Sequence, residues 1–357
     1  MSVNIRKLLL FTLVAILSAV VVACGTTEEA TNDENDANGS EEKDQNDNAE
    51  TQKDETTYTI KMASPSNPED TMVKAFYEFK DVVEKESDGR IEVDVLHSGQ
   101  LGGHADYIDG LQLGSIQAAE INTAVLSSLD DRLLIFDMPY LSNDMEHQRS
   151  VIKSGIGDDL SAVLEEKADI KIVGWLQRSS RNVYSSRGPI ETADDFNGLD
   201  IRVMESPVML KTMELLGARA VPISADERYM ALQTGVVDAA ENSIALILTE
   251  KEYEVTDYVS MTDHFMTPNV IAMDNNFFTS LPADLQDIVL EAGEVAGQYA
   301  FEEEQSQIAT AVEELEAVGM EVNFIEDKST FIEAVQPIYE EYEDIIGKEY
   351  FDAFLNN

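Results

Sequence analysis

From Tyr58 onward the chain alternates short apolar runs with amphipathic stretches. In "YTIKMA" (58–63) and "RIEVDVL" (90–96) every second residue is apolar, which predicts half-buried strands. Between them, apolar residues recur at three- and four-residue spacing from Thr71 to Lys85, the period of an amphipathic helix. "ADYIDGLQLG" predicts a second helix ending at Gly114, and "IQAAEI" a third strand. A further helix over about 145–167 leads into the strand "IKIVGWL". Strand and helix in regular alternation indicate an α/β fold with parallel strands.

The stretch from 198 to 242 is marked by sharper local signals. "GLDIRV" opens on Gly198 and places Leu199, Ile201 and Val203 on one side of a strand. Pro207 fits the first turn of a helix, and Gly217 fits its stop. "AVPIS" reads as a short strand. Ser224 with Glu227 three residues on makes a capping box for a helix running to Gly235. "VVDAAEN" is then a strand ending on Glu241 and Asn242. Arg202 and Asn242 therefore lie near strand ends, where open α/β sheets hold their ligands. Pro282 to about Val318 contains no breaker except Gly293 and Gly297, so a helix of about 36 residues and 54 Å is expected. That is longer than one lobe needs, and it suits a bridge between two.

The N-terminus reads differently. Arg6 and Lys7 precede an apolar run from Leu8 to Val22, the pattern of a secretory signal over residues 1–23. Val21-Val22-Ala23-Cys24 resembles a bacterial lipobox, so Cys24 is the expected lipidation site and the chain is expected on the outer face of the cell membrane. Cys24 is the only cysteine, which excludes an internal disulfide. Gly25 to Thr57 holds almost no apolar residue and reads as a disordered acidic tether.

Charge narrows the function. The net charge of −46 leaves no basic footprint for nucleic acid. The four histidines (His97, His104, His147, His264) show no metal-ligand spacing, and no nucleophile elbow, phosphate loop or complete dinucleotide fingerprint is present. An enzyme is disfavoured, and neither metal nor cofactor is expected. The arginines do stand out. Beyond the signal there are nine, and Arg178, Arg181, Arg187 and Arg202 fall within 25 residues. Arginine near strand ends of so acidic a chain is a candidate for bidentate carboxylate binding. Against that, Arg178 and Arg187 read as partners of surface acids, and Trp175 and Tyr184 as core.

"GLDIRVMESPVMLKTMELLGARAVPISADERYMALQTGVVDAAEN" resembles the signature of the DctP-type substrate-binding proteins of TRAP transporters, which show G-L-K-I-R-V, then L-G-A, then A-L-Q-x-G-V-V-D-x-x-E-N. "SGQLGG", "RSSRNVYSS" and "LPADLQ" resemble other family segments in the expected order. The resemblance implies an α/β, two-lobe, periplasmic-binding-protein-like (type II-like) fold with crossing strands and a long lobe-spanning helix. Lobe I would comprise about 58–178 and 268–305, and lobe II about 179–267 and 306–357. It implies an extracytoplasmic receptor that closes on an organic acid and hands it to the small and large membrane subunits of a permease. It places a carboxylate-clamping arginine at Arg202, a second ligand-facing arginine at Arg181 and a ligand-bonding asparagine at Asn242. Asn122 and Ser64 would supply further cleft contacts. The chain departs from the family pattern at Ser243, where proline is frequent, and at His104 and Asp106. A monomer is expected. A receptor for an ABC importer or sensor kinase, and a secreted enzyme on the same scaffold, remain as alternatives, and the solute class spans C4-dicarboxylates, 2-oxo acids and sugar acids.

Overall fold

The structure, a computed structural model, describes residues 56–357. The signal segment, Cys24 and nearly all of the tether lie outside the described residues. Two sheets form the framework. The first has strand order β2-β1-β3-β10-β4, from β1 (Tyr58–Ala63), β2 (Ile91–Leu96), β3 (Ala118–Asn122), β4 (Ile170–Leu176) and β10 (Asn269–Asp274). The second runs β11-β9-β5-β8-β6-β7, from β5 (Arg181–Ser185), β6 (Asp200–Val203), β7 (Arg219–Pro222), β8 (Ala239–Ser243), β9 (Tyr258–Phe265) and β11 (Glu321–Phe324).

The sheets are mixed rather than parallel throughout. β1 pairs parallel with β2 and β3, but β10 inserts antiparallel between β3 and β4. In the second sheet β6 is parallel to β7 and β8, while β5 is antiparallel to β8 and β9. The antiparallel strands are the ones that change sheet. The chain passes from β4 to β5 through Gln177–Ser180 and returns from β9 to β10 through Met266–Pro268.

A third connection is the helix Ala283–Ala317, 35 residues long as the uninterrupted pattern requires. Its Leu285, Val289, Ala292, Ala296 and Ala300 pack into one core with Ile60, Phe76, Phe79 and Ile271 of the first lobe. Its Ala311 and Leu315 pack with Tyr184, Ile247 and Val259 of the second. Gly293 and Gly297 let the helix lie directly on β4. A Cβ at Gly293 would stand 1.7 Å from the Val173 carbonyl oxygen, and one at Gly297 would stand 2.6 Å from that of Trp175.

Three local expectations change. The helix expected over 145–167 is broken into Met145–Val151 and Gly157–Ala168 by one wide turn, where Gly155 takes φ 114°. The Ser224–Glu227 capping box does not form. The helix there starts only at Arg228, and Asp226 instead reaches Gly99 and Gly103 of the first lobe. Finally, residues 306–357 do not stay together. The C-terminal helices Pro337–Ile346 and Lys348–Asn356 bury Ile338, Ile346, Tyr350 and Phe354 among Leu133, Phe136 and Leu160, against the first sheet. Trp175 and Tyr184 sit in cores as expected; Trp175 packs on Phe136 at 5.5 Å, and Tyr184 is fully buried.

Candidate functional site

Between the sheets lies a cavity of about 230 Å³. The carboxyl ends of β3, β6 and β8 point their last residues toward it, so Asn122, Arg202, Met204 and Asn242 line it. Loops 65–67 and 225–226 add to the wall. Two hydrogen bonds cross it: Asn67 donates its backbone N–H to Glu250 Oε1 (3.0 Å) and its Nδ2 to the Thr249 carbonyl (2.8 Å).

Arg202 is the most unusual group in this wall. It is 1% exposed, yet only its Nε is engaged, donating to the Ile223 carbonyl at 2.7 Å. Nη1 and Nη2 are buried without a partner. Burial, reinforced by the nearby Arg228 cation, pulls its pKa down to about 10. A guanidinium desolvated without an anion is costly, and an incoming carboxylate removes the cost by accepting from both Nη groups.

The other arginines are already matched. Arg181 forks onto Glu241, with Nη2 at 2.9 Å from Oε1 and Nε also on the carboxylate. It further donates to the Glu241 carbonyl (2.8 Å) and to Asn242 Oδ1 (3.0 Å). Arg181 thus lines the cavity but chiefly fixes Asn242, whose Oδ1 is taken and whose Nδ2 remains for a ligand. Arg228, which no sequence signal distinguished, donates from Nε to Glu252 Oε1 at 2.7 Å. Arg178 is not the surface residue expected. It is buried and bidentate on Asp70 (2.8 and 3.1 Å), with Glu120 and Glu304 each at 3.5 Å. Arg187 does pair at the surface, with Asp238 at 3.0 Å.

Two more of the five expected ligand residues have hydrogen bonds committed within the protein. Asn122 caps the turn after β3 by accepting from Ala124 N–H (2.9 Å), and its Nδ2 donates to Asn269 Oδ1 (2.5 Å). It touches the cavity with its hydrogen bonds largely spent. Ser64 does not line the cavity. Its hydroxyl donates to Glu120 Oε2 at 2.5 Å, and the wall there is Pro65, Ser66 and Asn67. Glu120 itself was legible as a lone acid inside the apolar strand "AAEIN". His104 lines the cavity with Nδ1 against the Glu120 carbonyl at 3.0 Å. A carbonyl only accepts, so the proton is on Nδ1.

Two carboxyls and two imidazoles are among the buried groups with displaced titrations. Burial pushes Glu120 and Asp137 up to about 7, and pulls His104 and His264 down to about 4 and about 3. The carboxyls contribute stability that is present below their unfolded pKa and is lost as pH rises through 7. The imidazoles contribute stability that is present above 6.5 and is lost as pH falls through 4 and 3. Between about pH 4.5 and 6.5 the two protons that Glu120 and Asp137 add to the folded state match the two that His104 and His264 add to the unfolded state, so these four contributions to the pH slope cancel one another. Asp137→Asn unbalances them. Its stability is expected to fall by about 1.4 kcal/mol per unit as pH drops from 6.5 to 4.5, relative to the parent. Urea unfolding at pH 5, 5.7 and 6.4 reads this slope, and parallel curves for both proteins would refute the assignment.

The chain matches the DctP family, described as bacterial extracellular solute-binding protein, family 7, over residues 62–344. It is 34% identical to a solute-binding protein of Sulfitobacter across 81% of this chain and 88% of the relative. Its fold superposes on the sugar acid binding protein of Advenella mimigardefordensis in complex with galactonate, with TM-score 0.82, 29% identity, and 85% and 98% of the two chains covered. A TRAP periplasmic solute-binding protein of Polaromonas bound to D-erythronate matches with TM-score 0.81, 28% identity and coverage of 83% and 98%.

Proposed function

Because the chain belongs to family 7 of the bacterial extracellular solute-binding proteins, the DctP type of TRAP transporters, we propose that its cavity captures an organic acid by the carboxylate and presents it to a membrane permease. The observation that carries this reading is Arg202, fully buried at the cavity wall with both Nη groups unpartnered. Asn242 lines the same cavity with its Oδ1 held by Arg181, which supports a role for its Nδ2 as a donor to the same solute. The relatives with galactonate and D-erythronate support a carboxylate as the common recognition element. The relatives named above are solute-binding proteins rather than enzymes.

The lobes are proposed to divide at Gln177–Ser180 and Met266–Pro268, with 337–356 staying with the first lobe. The receptor acts as a monomer. Its proposed anchor is the lipid on Cys24, because a positive and apolar leader ends on Val-Val-Ala-Cys ahead of a polar tract. Cys24→Ala should leave the membrane fraction and remain folded; retention in the membrane would make the leader itself the anchor.

The function is tested by melting the protein against a panel of organic acids and their uncharged analogues. A ligand held at 100 times its Kd adds about 2.7 kcal/mol of stability. At least one acid is expected to raise the melting temperature, and its uncharged alcohol is not. If only uncharged solutes stabilise the protein, the carboxylate reading fails.

A further inference from the structure

The identity of the solute is constrained by how the cavity's charges are matched. Three of its four guanidiniums have carboxylate partners within the protein: Arg178 on Asp70, Arg181 on Glu241 and Arg228 on Glu252. Among the described residues that line the cavity, only Arg202 lacks one, and no lysine contributes to the wall. The rest of the wall is rich in acceptors. Glu250 lines the cavity and accepts the Asn67 N–H on Oε1, which leaves further lone pairs on the carboxylate. His104 has its Nδ1 proton committed to the Glu120 carbonyl, so Nε2 offers a lone pair. Glu120 and Asp226 add negative charge to the same wall.

We propose that the cavity selects an acid with one carboxylate and several hydroxyls, a polyhydroxy monocarboxylate, and rejects dicarboxylates. The solute carboxylate meets Arg202, and its hydroxyls donate to Glu250 and His104. This rests on the carboxylate reading above and narrows it. The physical ground is the asymmetry of a carboxylate and a hydroxyl. A carboxylate only accepts, so a second one facing Glu250 and a proton-free Nε2 meets acceptors and a negative charge, with no unmatched cation to offset it. A hydroxyl in the same place donates to either group. Arg228 keeps its Nη groups free to donate to a hydroxyl, but its charge is already matched by Glu252. Glu250 is held above the ordinary glutamate range, by burial first, which agrees with a carboxylate pressed into a site short of cations.

The test compares acids that differ only at the far end. The protein is titrated calorimetrically with erythronate, threonate, gluconate and galactonate. Each is set beside the diacid in which the terminal hydroxymethyl is a second carboxylate; succinate and galactitol complete the set. The tightest monoacid is expected to bind at least about 30-fold more tightly than its own diacid, since juxtaposed like charges cost several kcal/mol. Glu250→Gln removes one of the repelling charges, and should shrink that ratio by at least about threefold, whereas a merely structural loss would weaken both ligands alike. A diacid or succinate that binds as well as the best monoacid overturns this inference and leaves the carboxylate reading intact. Binding of no monoacid in the set also overturns this inference, whereas binding of galactitol as tight as that of galactonate overturns the carboxylate reading itself.

Discussion

Arg202→Ala is expected to weaken solute binding by about 30-fold to several thousand-fold, the loss that follows when one side of a buried charge pair is truncated. The free protein should lose little. Arg202 gives the fold a single hydrogen bond, from Nε to Ile223, and the packing of its stem. Against that, it brings an unmatched buried cation with two unpartnered Nη groups, and removing it removes that cost. The apo melting temperature of the variant should therefore stay close to the parent value or rise. Arg202→Lys keeps the charge but not the planar fork, so it should recover only part of the affinity. Calorimetric titration with the best acid, beside melting curves of the apo proteins, reads both effects. Normal binding by Arg202→Ala, or an apo variant that no longer folds, would make Arg202 a structural arginine.

Arg202 could be found in the sequence because its signals are local. Gly198, the apolar side of "GLDIRV" and Pro207 bound the strand within ten residues, and the strand end places the side chain at the cleft. The long helix was legible for a similar reason, since an unbroken pattern declares its own length. The mixed sheet was not. β10 is an ordinary apolar run, and its antiparallel insertion between β3 and β4 depends on where the chain crosses between lobes, which no window of sequence reports. The Ser224 capping box is absent, and the turn that replaces it brings Asp226 close to Gly99 and Gly103, a tertiary placement that no local window of sequence reports.

The site shows the same division. Arg181 lines the cavity, but its commitment to Glu241 depends on β5 pairing with β8. Ser64 and Asn122 were close in space and different in role, because their hydrogen-bond partners, Glu120 and Asn269, come from other strands. With 70 acidic residues in the chain, no carboxylate announces which arginine it will meet. Only burial distinguishes Glu250 and Glu252 from the acids on the surface.

Arg178 is where this matters most, and its removal should be the most destabilising change. An exposed pair would cost less than about 1 kcal/mol. The partners are instead Asp70, Glu120 and Glu304, all buried, from residues 108, 58 and 126 positions away. Each also holds something else. Asp70 caps the helix Thr71–Glu86 by accepting from Met72 N–H (2.9 Å), and Glu304 accepts from Ser179 N–H and Oγ at the crossing between sheets (3.0 Å each). Arg178 thus ties the first helix, β3 and the long helix to one crossing segment. Arg178→Met keeps most of the stem and deletes the charge, leaving three carboxylates facing one another. Breaking a buried pair this way costs about 3–5 kcal/mol. Burial already holds Glu120 and Glu304 above the ordinary range with the cation present, and without it they rise further. A carboxyl with a raised folded pKa contributes stability at low pH that is lost as pH rises, so the deficit should be larger at pH 8 than at pH 5.5. Urea unfolding of parent and variant at both values separates the possibilities. A deficit below about 1 kcal/mol would show that water or other groups replace the cation, and an equal deficit at both pH values would assign the loss to packing rather than charge.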